Sequence, residues 1–382
     1  MNRKLRMGMV GGGTGSFTGP VHRIAAQMDN KIELAAGVFS SSPEKSKLTG
    51  RDLLIPHERV YFNYEEMFHK ESKLPLDQRI DFVSIITPNN LHHPVAISAL
   101  DHGFHVLCEK PMTTTLKEAK DLEQKVSESK KLFCLTHNYT GYPMVKEARR
   151  LILEDQLGKL RRIVVEYPQG WLSKTLEHRD DKQIIWRTNP EIAGAAGCMG
   201  DLGTHCGNLV EYITGLRITA VSADLSIFID GGSLDDDGSV LLRLGDSAKG
   251  ILWASQVAIG HENSLNIRIF GEKGSLEWNQ EEPNTLLVRW PDKPTEIKRT
   301  ATDFLGNEPF LNTRIPAGHP EGYLEGFANI YSAFASDICS YIMDNNQNIS
   351  GDYPNVHDGV TTMTLVNAIL DSNSNNNKWV HI

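Results

Sequence analysis

Side chains suited to reversible proton and hydride chemistry occur in two short groups. Cys108-Glu109-Lys110-Pro111 closes an apolar run and holds a cation between an acid and a proline. Gly200-Asp201-Leu202-Gly203-Thr204-His205 sets a carboxylate and an imidazole four residues apart, on one face if the segment is helical. Removing hydride from a carbinol carbon requires a group that binds the developing alkoxide or relays its proton. Lys110 suits the first task. His205 suits the second, because imidazole titrates near neutral pH, and Asp201 can hold a substrate hydroxyl or orient the lysine. The plainer alternatives are a surface lysine after a strand and a solvated Asp/His pair. Half of a metal site is a third, but no residues at ligand spacing complete it, so no metal is expected.

A further set of residues bears on nucleotide binding. The strand-like run Met7–Val10 enters Gly11-Gly12-Gly13-Thr14-Gly15-Ser16-Phe17-Thr18-Gly19-Pro20-Val21-His22. Glycines there let the backbone turn sharply and approach a pyrophosphate, which then rests on the amides opening the next helix. The strict G-x-G-x-x-G spacing fails, because Ser16 takes the third glycine's place. Gly11 and Gly13 can keep their roles if Gly19 supplies the third after three inserted residues. A merely flexible loop is the alternative, and the strand before and helix after favour cofactor binding. At the end of the second strand an acid would bind the ribose hydroxyls of NAD and repel a 2′-phosphate. Phe39-Ser40-Ser41-Ser42-Pro43-Glu44-Lys45 stands there instead. Ser40, Ser41 and Lys45 could receive a phosphate as readily as a diol, or the serines could only cap the helix; NAD and NADP both stay open on these residues. Thr87-Pro88-Asn89-Asn90-Leu91-His92-His93 follows another strand, at the edge where open α/β sheets bind ligands. Thr87, Pro88, Asn89 and His92 are therefore cofactor-cleft candidates, with Glu109 beside them.

These residues need a scaffold to position them. Over the first 140 or so residues, strands at Leu5–Val10, Ile32–Phe39, Phe82–Thr87, Phe104–Cys108 and Leu132–Thr136 alternate with helices at Val21–Met28, Pro43–Leu54, Pro94–His102 and Leu116–Ser129. Apolar strands alternating with amphipathic helices predict a parallel sheet covered on both faces. After about residue 155 the pattern becomes strand upon strand: Leu160–Glu166, Ala220–Phe228, Ser239–Leu244, Ala248–Val257, Ser264–Phe270, Ser275–Trp278, Thr285–Trp290 and Glu296–Thr300. That order predicts an antiparallel or mixed sheet with one open face, flanked by helices at Met144–Asp155, Leu202–Thr214, Tyr323–Asp344 and Val356–Leu370. The expected division is an α/β domain over residues 1–142 and an α+β domain over 143–382.

Bulk properties narrow the classes. With 382 residues, two domains are expected, and 40% hydrophobic with 23% charged residues is ordinary for a globular chain. A net charge of −9 argues against a non-specific nucleic-acid binder. The five scattered cysteines include no C-x-x-C pair, which fits a reducing compartment. MNRKLRMGMVGGG enters a strand almost at once, and no apolar run approaches a membrane span, so a cytoplasmic location is expected.

Taken together, the glycine turn with Gly19-x-x-His22, Thr87-Pro88-Asn89, Glu109-Lys110-Pro111 and Asp201-x-x-x-His205 resemble the glucose–fructose oxidoreductase/inositol dehydrogenase/MocA (Gfo/Idh/MocA) family over nearly the whole chain. The resemblance implies an N-terminal Rossmann dinucleotide-binding domain and a C-terminal α+β domain built on a large open sheet. It also implies a catalytic group of Lys110, Asp201 and His205, with His205 exchanging the proton, Lys110 polarising the hydroxyl and Asp201 positioning both, the three meeting over the nicotinamide. A homo-oligomer, dimer or tetramer, is implied through the open sheet. His137-Asn138-Tyr139-Thr140-Gly141-Tyr142-Pro143, Trp186-Arg187-Thr188-Asn189 and His319-Pro320-Glu321-Gly322-Tyr323 resemble a branch acting on sugars, cyclitols and related glycosides. They make Tyr139, Trp171, Arg187 and His319 candidates for the substrate wall, although Trp186 and Tyr323 could equally be core. The chain departs from the family pattern in its lengthened glycine turn and in the serine at 40. Serine-rich turns in the sugar-oxidising branch tilt the cofactor toward NAD.

Three functions compete. The first is an NAD(P)-dependent dehydrogenase oxidising a ring hydroxyl of a sugar, anhydrosugar or inositol. The second is a redox-neutral glycoside-cleaving enzyme, in which transient oxidation acidifies a neighbouring proton and allows elimination. The third is a non-catalytic cofactor sensor, which the retention of Lys110 and His205 disfavours.

Overall fold

The computed structural model describes residues 3–173, 189–344 and 349–382. The chain divides into two compact units, one of residues 1–138 with 323–360 and one of residues 139–322 with 361–382.

The first unit is built on five parallel strands, β1 (Leu5–Gly11), β2 (Ile32–Val38), β3 (Phe82–Ile86), β4 (His105–Cys108) and β5 (Phe133–Leu135). Their spatial order is β2-β1-β3-β4-β5. Every residue of β3, β4 and β5 is buried, as a sheet covered on both faces requires. Two of the connecting helices, Pro43–Asp52 and Leu116–Ser129, start at side-chain caps. Ser42 accepts from the Lys45 amide at 3.4 Å ahead of Pro43. Thr115 and Glu118 form a reciprocal capping box at the start of the helix Leu116–Ser129.

Two features depart from the sequence expectation. The helix Tyr64–Glu71 was not expected. It is short, and tertiary contacts hold it: Arg59 pairs with the buried Glu71 at 2.6 Å, and Glu71 also accepts from the Tyr61 hydroxyl at 2.8 Å. The domain limits also need correction, because 323–360 belongs with the first unit rather than with 143–322. The helix Tyr323–Asp344 places Phe327, Tyr331, Phe334 and Ile338 in one core with Leu5, Met7, Ile32 and Phe82. Its periodicity announces a buried face but not which partner, some 300 residues earlier in the chain, will cover it.

The second unit carries a nine-stranded mixed sheet. Its strands are β6 (Leu160–Pro168), β7 (Ile218–Ser226), β8 (Asp237–Leu244), β9 (Ala248–Ser255), β10 (Asn266–Gly271), β11 (Ser275–Asn279), β12 (Thr285–Arg289), β13 (Glu296–Arg299) and β14 (Val380–His381). The order is β13-β12-β11-β10-β6-β9-β8-β7-β14, with β6 and β9 parallel and the other neighbours antiparallel. One face buries Ile163, Val165, Leu242, Leu252, Ile267 and Ile269. On the other, Leu241, Ile251 and Val164 lie side by side across β8, β9 and β6, and Leu241 and Ile251 are exposed.

Candidate functional site

Because β1 to β5 are parallel, the turns that follow them all leave from one edge of the sheet. Strand order reverses between β1 and β3, the place where such sheets form a ligand crevice. Gly11 lies opposite Ile86 there. Its φ of +87° is one that L side chains rarely adopt, and a Cβ would strike the Ile86 backbone. Gly19, in the helix Thr18–Met28, packs against Gly12 so closely that a Cβ would come within 2.7 Å of the Gly12 Cα. Gly19 thus takes the helix–strand packing role that the strict motif gives its third glycine. The Gly13 amide donates to the Phe39 carbonyl at 3.1 Å, joining the turns after β1 and β2.

Thr87, directly after β3, carries a buried Oγ1 with no hydrogen-bond partner among the described residues. A glycine cradle at the opening of a helix, where the Gly19 amide donates to Ser16 Oγ at 3.1 Å, and an orphaned hydroxyl at the switch point fit a dinucleotide phosphate. In the turn after β2, Ser40 accepts from the Ser42 amide at 3.1 Å, while Ser41 and Lys45 are exposed. Pro88 is exposed and Asn89 buried. His92 is otherwise engaged: its Nδ1 lies 2.7 Å from the Pro111 carbonyl and its Nε2 2.9 Å from that of Thr87. Burial lowers its pKa, and a neutral ring donates to only one of these carbonyls. His92 therefore braces the turns after β3 and β4 instead of presenting a ring to the crevice.

Glu109 and Lys110 follow β4. Burial works to raise the Glu109 pKa, but the hydrogen bond and charge of His22 and the charge of Lys110 prevail and hold it below the usual carboxylate value. Glu109 Oε1 lies 2.7 Å from His22 Nε2, and Oε2 accepts from the Lys110 amide at 2.9 Å. The Lys110 charge also reaches His137, whose pKa burial first and that charge second push down to about 3.

In the second unit, Asp201 lies in a wide π-type turn, Met199–Gly203, that runs directly into the helix Thr204–Thr214. Such turns are uncommon and often mark functional positions. The turn is anchored by Asp235, whose carboxylate accepts from the Gly197 and Met199 amides, each at 2.7 Å. Asp201 Oδ2 accepts from the Gln256 side chain at 3.1 Å. His205 is buried, with the Tyr139 ring edge-on at 4.9 Å and the Tyr167 ring at 6.1 Å.

Tyr139 was expected in a substrate wall. It is buried, its hydroxyl lies 2.5 Å from that of Tyr167, and Asn263 donates to it at 3.3 Å. Burial pushes its pKa up to about 12 against those hydrogen bonds. As placed, Tyr139 backs the imidazole. Trp171 is half-buried in the loop after β6, where the neighbouring Leu172 amide donates to the Gln256 carbonyl at 3.0 Å. This joins the loop to the residue that holds Asp201. His319 is exposed, with Nδ1 3.1 Å from the Pro316 carbonyl, on a loop tied through Glu321 to Asn284. Arg187 and Trp186 lie outside the described residues. Gln256, Tyr167, Asn263 and Asp235 were missed; isolated polar residues in strand ends and turns carry no local signal.

Among the described residues no cluster of three or more His, Cys, Asp or Glu side chains could hold a metal ion, and no helix is long and apolar enough to cross a membrane.

A switch-point glycine cradle on a parallel sheet, joined in sequence to a unit with a large mixed sheet, defines a two-unit NAD-binding oxidoreductase architecture. Residues 5–137 match the family described as "Oxidoreductase family, NAD-binding Rossmann fold", and residues 145–277 match the "GFO/IDH/MocA C-terminal domain". The chain belongs to the Gfo/Idh/MocA family of oxidoreductases. It is 30% identical to the uncharacterized oxidoreductase YfiI of Bacillus subtilis (strain 168), over 100% of this chain and 97% of that protein. It is 26% identical to levoglucosan dehydrogenase of Pseudarthrobacter phenanthrenivorans, over 80% and 81% respectively. Among solved structures, an inositol dehydrogenase homolog from Azotobacter vinelandii in complex with NAD+ is similar with a TM-score of 0.96 at 31% identity, covering 100% of this chain and 98% of that one.

Proposed function

We propose that this enzyme transfers a hydride between NAD and a ring carbinol of a sugar, anhydrosugar or inositol. The observation that carries the reading is the placement of Glu109-Lys110 on the same carboxyl edge of the sheet as the glycine cradle and the orphaned Thr87 hydroxyl. A cation at that edge suits a developing alkoxide. The polyol class is supported by two relatives, one named levoglucosan dehydrogenase and one crystallised with NADH and myo-inositol.

When bound, NAD+ supplies the hydride acceptor. Gly11, Gly13 and Gly19 with the opening of the helix Thr18–Met28 hold its phosphates; Ser40, Ser41 and Lys45 bear on the ribose, and Thr87, Pro88 and Asn89 line the cleft. Lys110 polarises the substrate hydroxyl as the C–H bond breaks. His205 takes the hydroxyl proton in oxidation and returns it in reduction. Asp201, steadied by Gln256, accepts a hydrogen bond from a substrate hydroxyl, and Trp171 and His319 complete recognition. The open face carrying Leu241, Ile251 and Val164 packs against a second copy of the chain.

The test is to mix purified protein with NAD+ or NADP+ and a panel containing myo-inositol and levoglucosan, reading absorbance of the reduced nicotinamide. Replacing Lys110 or His205 with alanine should lower kcat by about 10² or more and leave NADH binding intact. Silence across the panel, with dinucleotide binding demonstrated, overturns the reading.

A further inference from the structure

The sequence holds two motifs, Gly19-x-x-His22 and Glu109-Lys110-Pro111, and the proposed function gives roles to Gly19 and Lys110 but none to His22. The structure joins them. His22 is fully buried. Its Nε2 lies 2.7 Å from Glu109 Oε1 and its Nδ1 2.8 Å from the Tyr331 hydroxyl, which is 2.9 Å from Ser84 Oγ. Four segments far apart in the chain thus meet in one buried row: the helix after the glycine turn, β3, the end of β4 and the helix Tyr323–Asp344.

The donor and acceptor inventory fixes the proton at the Glu109 end of this row. An ionised Glu109 only accepts, so His22 Nε2 carries a hydrogen toward it. At its other nitrogen the ring meets the Tyr331 hydroxyl, which can both donate and accept and which Ser84 Oγ meets in turn. Burial raises the Tyr331 pKa, so its hydroxyl stays protonated. Each end of Glu109 is occupied: one oxygen by His22, the other by the backbone amide of Lys110. A lysine side chain is long and rotamer-rich, so its origin on the backbone determines where the ammonium can reach.

We propose that His22, backed by Tyr331 and Ser84, is a positioning residue for Lys110, holding Glu109 as an ionised clamp on the Lys110 amide. The functional consequence rests on the reading that Lys110 acts at the carbinol oxygen; the clamp itself does not.

Amide hydrogen exchange on the full chain separates the two. Pro111 has no N–H, so the difference between fragments ending at Glu109 and at Pro111 reports the Lys110 amide alone. His22→Leu and Tyr331→Phe should each speed exchange at Lys110 about tenfold, the loss expected for one charge-assisted hydrogen bond, while β1 and β3 stay protected. His22→Gln, which keeps an N–H donor, should recover most of the protection. Wild-type exchange at Lys110 in either of the first two variants overturns the proposal; should His22→Leu not fold, Tyr331→Phe decides it. In turnover with NAD+ and myo-inositol or levoglucosan, Tyr331→Phe should lower kcat several-fold with the KM for NAD+ unchanged. In a Lys110→Met background it should have no further effect, and an undiminished effect there also overturns the proposal. Full activity of Lys110→Met alone would instead refute the catalytic reading, with the exchange result still standing.

Discussion

Thr87→Val tests the nucleotide crevice with a single atom replaced. The Thr87 hydroxyl is buried at the switch point between β1 and β3 and has no partner among the described residues. Leaving a buried polar group unsatisfied costs about 1–3 kcal/mol, whereas a made hydrogen bond contributes only about 0.5–1.5 kcal/mol net. Valine has nearly the same shape and no hydroxyl. The unliganded variant should therefore be at least as stable as the wild type, and up to about 1 kcal/mol more so. If that hydroxyl bonds bound dinucleotide, the variant forfeits about 0.5–1.5 kcal/mol of binding, which raises the NAD Kd about 2- to 12-fold. Denaturant unfolding reads the first quantity, and titration calorimetry with NAD+ and NADH reads the second. The reasoning fails if valine destabilises the free protein by more than about 1 kcal/mol while dinucleotide affinity stays the same, since Thr87 would then be a core residue satisfied by its surroundings.

Other outcomes follow from the same geometry. Gly19→Ala forces a methyl group onto the Gly12 backbone; it should cost about 1–3 kcal/mol and abolish NADH fluorescence enhancement, and tolerance of alanine would remove Gly19 from the motif. Asp235→Asn turns an acceptor of two amide hydrogen bonds into a group with one acceptor atom, so stability should fall by about 1–3 kcal/mol, and kcat with it while NAD+ binding holds. His105 should stay neutral at pH 5. Its pKa is lowered to about 3, by burial first and then by the charges of Lys131 and Arg79, and its Nδ1 accepts from the Leu132 amide at 3.0 Å. Since the unfolded chain protonates this ring near 6.5, its contribution is complete above that pH and is lost progressively as pH falls from 6.5 toward 3. An NMR titration of the ring with a midpoint near 6.5 would contradict this.

Much of the first unit was legible because its signals are local. Parallel strands buried on both faces read as continuous apolar runs, and glycine, proline and capping residues punctuate them. The eight strands from β6 to β13 were visible for a similar reason, as short alternating runs between turns. Side-chain roles were less legible. Tyr139 and His92 have the composition of site residues, yet the structure employs one behind His205 and the other between two turns. An aromatic or imidazole suits a ligand wall and a packed interior equally, and only the neighbours distinguish them. Gln256 and Asp235, which hold Asp201 and its turn, belong to no motif.

Residue type and spacing alone were enough to establish the two-part architecture, the glycine-rich turn after the first strand and the presence of Lys110, Asp201 and His205, since each depends on backbone conformation or chemistry carried within a few residues. Folding decided which distant segment covers the first sheet, how Gly19 reaches Gly12, and that His22 and Tyr331 close on Glu109. Those outcomes depend on surfaces brought together across hundreds of residues. A buried hydrogen bond forms only where two separately positioned elements happen to be adjacent, and no local pattern records that adjacency.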